Sequence, residues 1–133
     1  LVVLRKPNGS YLGVGWNPAR LNTEEKHIVL SLAVEAGVYS LLTKTVDEET
    51  CNPLKMWHDL GEPANLSEEQ KKLLQQAAQP FVQTQRLKSV GSEVEITLLL
   101  KQNAVVYFEV WKCDVQSDRG YDYERAVSGN GIF

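Results

Sequence analysis

The sequence predicts a mainly β fold, an antiparallel β-sandwich with a short insert of two helices. Three observations carry the prediction. Six or seven short runs rich in β-branched, aromatic or alternating residues are separated by Gly, Pro and Asn turn signals. Helix start and stop signals are concentrated in one stretch, residues 52–80. The length, 133 residues, suits one domain that buries roughly two-thirds of its unfolded surface.

The elements follow in order. LVVL (1–4) is a short apolar run, closed by the turn signal Pro7-Asn8-Gly9. SYLGVGW (10–16) alternates Tyr11, Gly13 and Gly15 against Leu12, Val14 and Trp16, so the two runs form a hairpin. Residues 17–27 are polar, contain Pro18, and read as a loop. IVLSLAV (28–34) puts Ile28, Leu30, Leu32 and Val34 on one face of a strand. After a turn at Gly37, VYSLLTKTV (38–46) is β-branched and aromatic, hence a strand. Asn52 is a good N-cap and Pro53 suits the first helical position. Leu54, Trp57 and Leu60 recur on one side, and Gly61 with Pro63 ends the turn, so residues 53–60 are expected to be helical. A helix that short is not stable alone, and the expectation is that Trp57 and Leu54 bury against the sheets. Ser67 and Gln70 form a capping box for a second helix at 68–79, with Leu73, Leu74, Ala77 and Ala78 as its apolar stripe and Pro80 as its stop. FVQTQRLKSV (81–90) alternates loosely. VEITLLL (94–100) and AVVYFEVW (104–111) are strands across a Gln102-Asn103 turn. Residues 112–133 are a polar tail without a period, whose role is open, and the whole of 1–133 is read as one domain.

Composition narrows the function classes. A net charge of −3 disfavours nucleic acid and an anionic membrane as partners, since both need a basic face. No apolar run approaches the roughly 20 residues that span a bilayer. The chain opens on Leu1, in LVVL and without a basic leader, and is expected to be a piece of a longer protein. Cys51 and Cys113 make no disulfide framework, and their pairing is open.

Candidate chemistry is sparse. Asp47-Glu48-Glu49 and Tyr121-Asp122-Tyr123-Glu124 read as solvated loop segments rather than acid–base pairs. His58, Cys51, His27 and Cys113 lack the paired short spacings of a zinc site, so neither metal nor cofactor is expected. GVGWNP is no dinucleotide loop, because it follows a hairpin rather than joining a strand to a helix. Trp16, Trp57, Trp111, Tyr11 and Tyr39 could stack on sugar rings, although aromatics in sandwich strands are more often core. No catalytic residue is expected in this chain.

The order Asp47, Asn52, Trp57, Gly61, Pro63, followed by LSEEQKKLLQQAAQP, resembles the C-terminal region of glycoside hydrolase family 39. That family comprises β-xylosidases and their α-L-iduronidase relatives. In it a strand ends in Asp, then come Asn, Trp and a Gly-x-Pro turn. A helix beginning Thr/Ser-x-Glu-Gln-x-x-x-Leu follows, matched here by Ser67, Glu69, Gln70 and Leu74. GSYLGVGWNP and VEITLLLKQNAVVYFEV are similar to the strands that open and close the region, so the resemblance spans about residues 1–111. It implies a β-sandwich that accompanies a (β/α)8 barrel, which becomes the expected partner. The family's retaining chemistry uses two glutamates of that barrel, about 5 Å apart. Neither barrel motif occurs here. Glu62 lies in a helix-terminating turn and does not stand for the family's Asn-Glu-Pro acid/base. The expected function is therefore a non-catalytic sandwich domain of a β-xylosidase-like parent. A carbohydrate-binding module gripping glycan through exposed aromatics, and an immunoglobulin-like interaction domain, are the alternatives.

Overall fold

The computed structural model describes residues 1–18 and 24–113. Among the described residues, seven strands and two helices run in the order β1 (Val2–Arg5), β2 (Tyr11–Trp16), β3 (Lys26–Ala33), β4 (Val38–Val46), α1 (Pro53–Asp59), α2 (Glu68–Ala77), β5 (Phe81–Lys88), β6 (Glu93–Leu100) and β7 (Val105–Lys112). The strands form two antiparallel sheets, one in the order β1-β2-β7-β4-β5 and one of β3 with β6. They face each other as a β-sandwich. Most of the sequence reading of 112–133, including Tyr121 to Glu124, lies outside the described residues.

The alternation in the strands decides which side chains meet. Val94, Ile96, Leu98 and Leu100 of β6 are buried, while Glu93, Glu95, Thr97 and Leu99 face out. Leu32 joins them from β3, with Ile28 and Leu30 partly covered. From the other sheet come Tyr11, Tyr39, Leu41, Val106, Phe108 and Val110. The two buried tyrosines keep partners for their hydroxyls: Tyr11 donates to Ala33 O and Tyr39 to Glu35 O, each at 2.7 Å. A polar tip bonded at the core's rim removes the cost of burying it.

Two β2 details are exacting. A Cβ on Gly13 would lie 2.6 Å from the Phe108 ring and 2.6 Å from Val2 O, so only glycine lets that ring cross the strand. Asn17, 1% exposed, donates through Nδ2 to Glu24 O, Leu100 O and Lys101 O at 3.0, 3.1 and 3.3 Å. Its backbone also bonds Ala104 O and Asn103 N. The residue ties the end of β2 to the β6–β7 turn.

Several boundaries differ from the sequence reading by one or two residues. β3 begins at Lys26, inside the expected loop, because Lys26 and His27 pair with Leu100 and Leu99 and extend the ladder. The helices stop at Asp59 and Ala77, with Leu60 and Ala78 as caps. The larger correction concerns α1. It buries no residue: Leu54 is 70% exposed and Trp57 half-buried, and its packing partner is α2 rather than a sheet. The hydrophobic spacing predicts a sheet-facing stripe, whereas α1 packs on α2.

Candidate functional site

The residues singled out by spacing form one hydrogen-bonded unit after β4. Asp47 Oδ1 accepts from Glu49 N, Thr50 N and Thr50 Oγ1 at 2.8, 2.7 and 2.9 Å. Burial opposes the charge on this carboxylate, but those donors, with Lys101 nearby, outweigh it and hold its pKa below the ordinary value. Asn52 Oδ1 accepts from Lys55 N at 3.1 Å, satisfying a first-turn donor of α1, and its Nδ2 donates to Glu48 O at 2.9 Å. At the other end, Gly61 adopts φ +90°, which lets its N–H reach His58 O and the Glu62 N–H reach Trp57 O. Trp57 Nε1 then donates to Pro63 O at 3.2 Å. Trp57 thus closes the turn after α1 instead of pinning the helix to a sheet.

Two contacts fasten this bracket to the sandwich. Asn103 Nδ2 donates to Glu48 Oε1 at 2.8 Å, and Lys101 Nζ lies 3.5 Å from Glu49 Oε2. Both come from the β6–β7 turn that Asn17 also grips. Pairs as exposed as Lys101 with Glu49 contribute little each, so the bracket is located more than it is stabilised.

The soft ligands are dispersed. His58 Nδ1 is 2.8 Å from Glu62 Oε1, Cys51 Sγ donates to Ala78 O at 3.1 Å, and Cys113 Sγ lies 2.9 Å from Ser40 Oγ. Among the described residues no group of three or more His, Cys, Asp or Glu is placed to hold a metal ion.

Two surface features stand out beside the bracket. A cleft of about 320 Å³ opens where Thr43, Thr45, Phe81 and Gln83 on the large sheet are left uncovered beside Thr97 and Leu99 of β6. It exists because two strands cannot roof five. The loose alternation of 81–90 was its trace, since β5 has little to bury against. The second feature is the outer face of the large sheet. There Val2, Leu4, Trp16, Val105 and Trp111 are all between 39 and 56% exposed. Its signal was that both faces of SYLGVGW are apolar, where a half-solvated strand has only one.

The aromatics divide accordingly. Tyr11 and Tyr39 are core. Trp16 pairs with Val105 and Trp111 with Ser40, at opposite ends of β7. Six residues of strand separate those ends by about 20 Å, too far to clasp one sugar ring.

Comparison with known proteins places this architecture. A β-xylosidase of Geobacillus stearothermophilus is 25% identical over 112 residues, covering 83% of this chain and 22% of that protein. A family 39 enzyme from Xanthomonas axonopodis pv. citri superposes with a TM-score of 0.67 at 20% identity, covering 84% of this chain and 25% of the other. A monomeric β-xylosidase from Caulobacter crescentus gives 0.65 at 20% identity, over 83% of this chain and 25% of its own. At that identity the superpositions speak for the fold alone. The chain spans about a quarter of the length of these relatives. The family model of glycosyl hydrolases family 39 matches residues 17–94, more than half of the sequence, from Asn17 through the bracket to β6. The chain belongs to glycosyl hydrolases family 39.

Proposed function

We propose that this chain is a C-terminal, non-catalytic β-sandwich domain of a β-xylosidase-like family 39 enzyme, whose glycosidic bond cleavage takes place in a separate (β/α)8 barrel. The observation that carries the reading is coverage. A sandwich core closed on itself aligns with only 22–25% of enzymes named for cleaving or belonging to this family. The motif Asp47, Asn52, Trp57, Gly61, Pro63 supports it, because each member spends its polar groups or backbone conformation on holding the bracket. In this reading those residues are structural and carry no chemistry. A retaining glycosidase needs two carboxyl groups about 5 Å apart across a sugar site. Asp47, Glu48 and Glu49 are instead tied to Thr50, Asn103 and Lys101, and Asp59 and Glu62 to Lys55 and His58.

Turnover tests the proposal. The 133-residue chain is expected to leave an aryl β-xyloside intact, while the parent chain cleaves it. Cleavage by the short chain, abolished by replacing one of its own carboxylates, contradicts the assignment.

A further inference from the structure

The outer faces of the two sheets differ in kind. On the β3–β6 sheet the outward cross-strand pairs are Ala33 with Glu93, Ser31 with Glu95, Val29 with Thr97 and His27 with Leu99. This mixture is ordinary for a solvated sheet. On the large sheet the outward pairs are Val2 with Val14, Leu4 with Leu12 and Trp16 with Val105. Val14 continues to Tyr107, and Val105 continues to Val46 on β4. Apolar side chains therefore run from β1 by way of Val14 and Trp16 to Val105 and Val46, over about 15 Å at the usual strand spacing, while Glu109 and Lys44 interrupt the rows that begin at Leu4 and Val2.

Tyr107 and Glu109 on this face are matched, while Lys44, across from Tyr107 on β4, is exposed. Tyr107 donates its hydroxyl to Glu109 Oε1 at 2.6 Å, and Lys6 Nζ lies 3.9 Å from the same oxygen. Groups paired this way can lose water without being left unsatisfied. Toward β5 the face turns mostly polar, through Thr84, Arg86 and Lys88 with Val82 as the apolar exception, as an interface rim does. Monomers rarely leave a contiguous apolar patch larger than a few hundred Å² exposed. The chain aligns with only a quarter of its relatives, so most of a family 39 parent lies outside it.

We propose that the outer face of β1, β2 and β7, centred on Leu4, Val14, Trp16 and Val105, is the surface on which the rest of the parent chain docks. The inference rests on the accessory-domain reading and gives that domain its contact. The occupant is the remainder of the same polypeptide, not a second copy and not glycan. Interfaces between domains of one chain cover about 600–1,500 Å².

The test uses the intact parent enzyme and hydroxyl-radical footprinting. Trp16 and Leu99 have nearly equal exposure in this domain, 47% and 44%. In the parent, Trp16 and Leu4 are expected to be labelled several-fold more slowly than Leu99 and Val29, after correction for intrinsic reactivity. The protection is expected to be independent of protein concentration. Equal labelling of the two faces overturns the proposal, and protection that vanishes on dilution overturns it in favour of a second copy. A parent carrying Trp16→Glu should unfold earlier, with the sandwich melting separately, whereas Val29→Glu should not. Aryl-xyloside cleavage by the same sample separates the two inferences. An active parent with a freely labelled Trp16 refutes this interface alone, while a parent without glycosidase activity refutes the reading beneath it.

Discussion

Phe108 lies where a side chain at position 13 would have to be. Gly13→Ala forces the ring or the β1 backbone to move, because the added carbon meets both at 2.6 Å. Overpacking of this kind costs about 1–3 kcal/mol, readable by chemical denaturation. Asn17 poses the opposite requirement, a donor rather than a void. Its Nδ2 serves three carbonyls in a site closed to water. Asn17→Ala is expected to cost roughly 1–3 kcal/mol by stranding them. Asn17→Asp should cost more, since a carboxylate brings no donor and sets negative charge against carbonyl oxygens. A third residue gives a pH signature. The folded pKa of Asp47 lies below its unfolded value. Its contribution to stability is therefore complete above the unfolded value, about 3.9, and is lost as pH falls from there through the folded value. Asp47→Asn should flatten the acid limb of the stability profile. An unchanged limb in that variant contradicts the account.

The elements show where sequence signals suffice. The capping chemistry of α1 and α2 was legible because it is local. Asn52 and Ser67 bond donors three residues ahead, and no distant partner is involved. Asn52→Ala is accordingly expected to cost about 1 kcal/mol, and Asn52→Asp, which keeps the cap but loses the Nδ2 bond to Glu48 O, should cost less than that. The partner of α1 was not legible, because a stripe at helical spacing states that something is to be covered and not by what. Trp57 is half-buried and bonded to Pro63 O. Trp57→Ala should therefore fall short of the roughly 3–5 kcal/mol of a core aromatic. Trp57→Phe, which keeps a ring but loses the donor, should cost about 1 kcal/mol. A loss at full core scale for Trp57→Ala would show that the tryptophan packs more deeply than its exposure allows.

At the scale of the whole molecule, the sandwich was readable from β6 and β7. Their alternation is clean because one side is core and the other is not. The division into five strands and two was not readable. Strand pairing across long separations, such as β2 with β7, leaves no periodic mark in either segment. The apolar outer face is assembled only when β1, β2 and β7 lie side by side. Membership in family 39 and the uncovered face support the proposed reading, that this domain serves a catalytic centre located elsewhere in its parent. Mechanism-based labelling tests it most directly. A retaining glycosidase forms a covalent glycosyl-enzyme intermediate on its nucleophilic carboxylate, and an activated 2-fluoro-xyloside arrests the enzyme there. Peptide mapping of the labelled parent should find the sugar on a carboxylate outside these 133 residues. A label on any aspartate or glutamate within them would contradict the account.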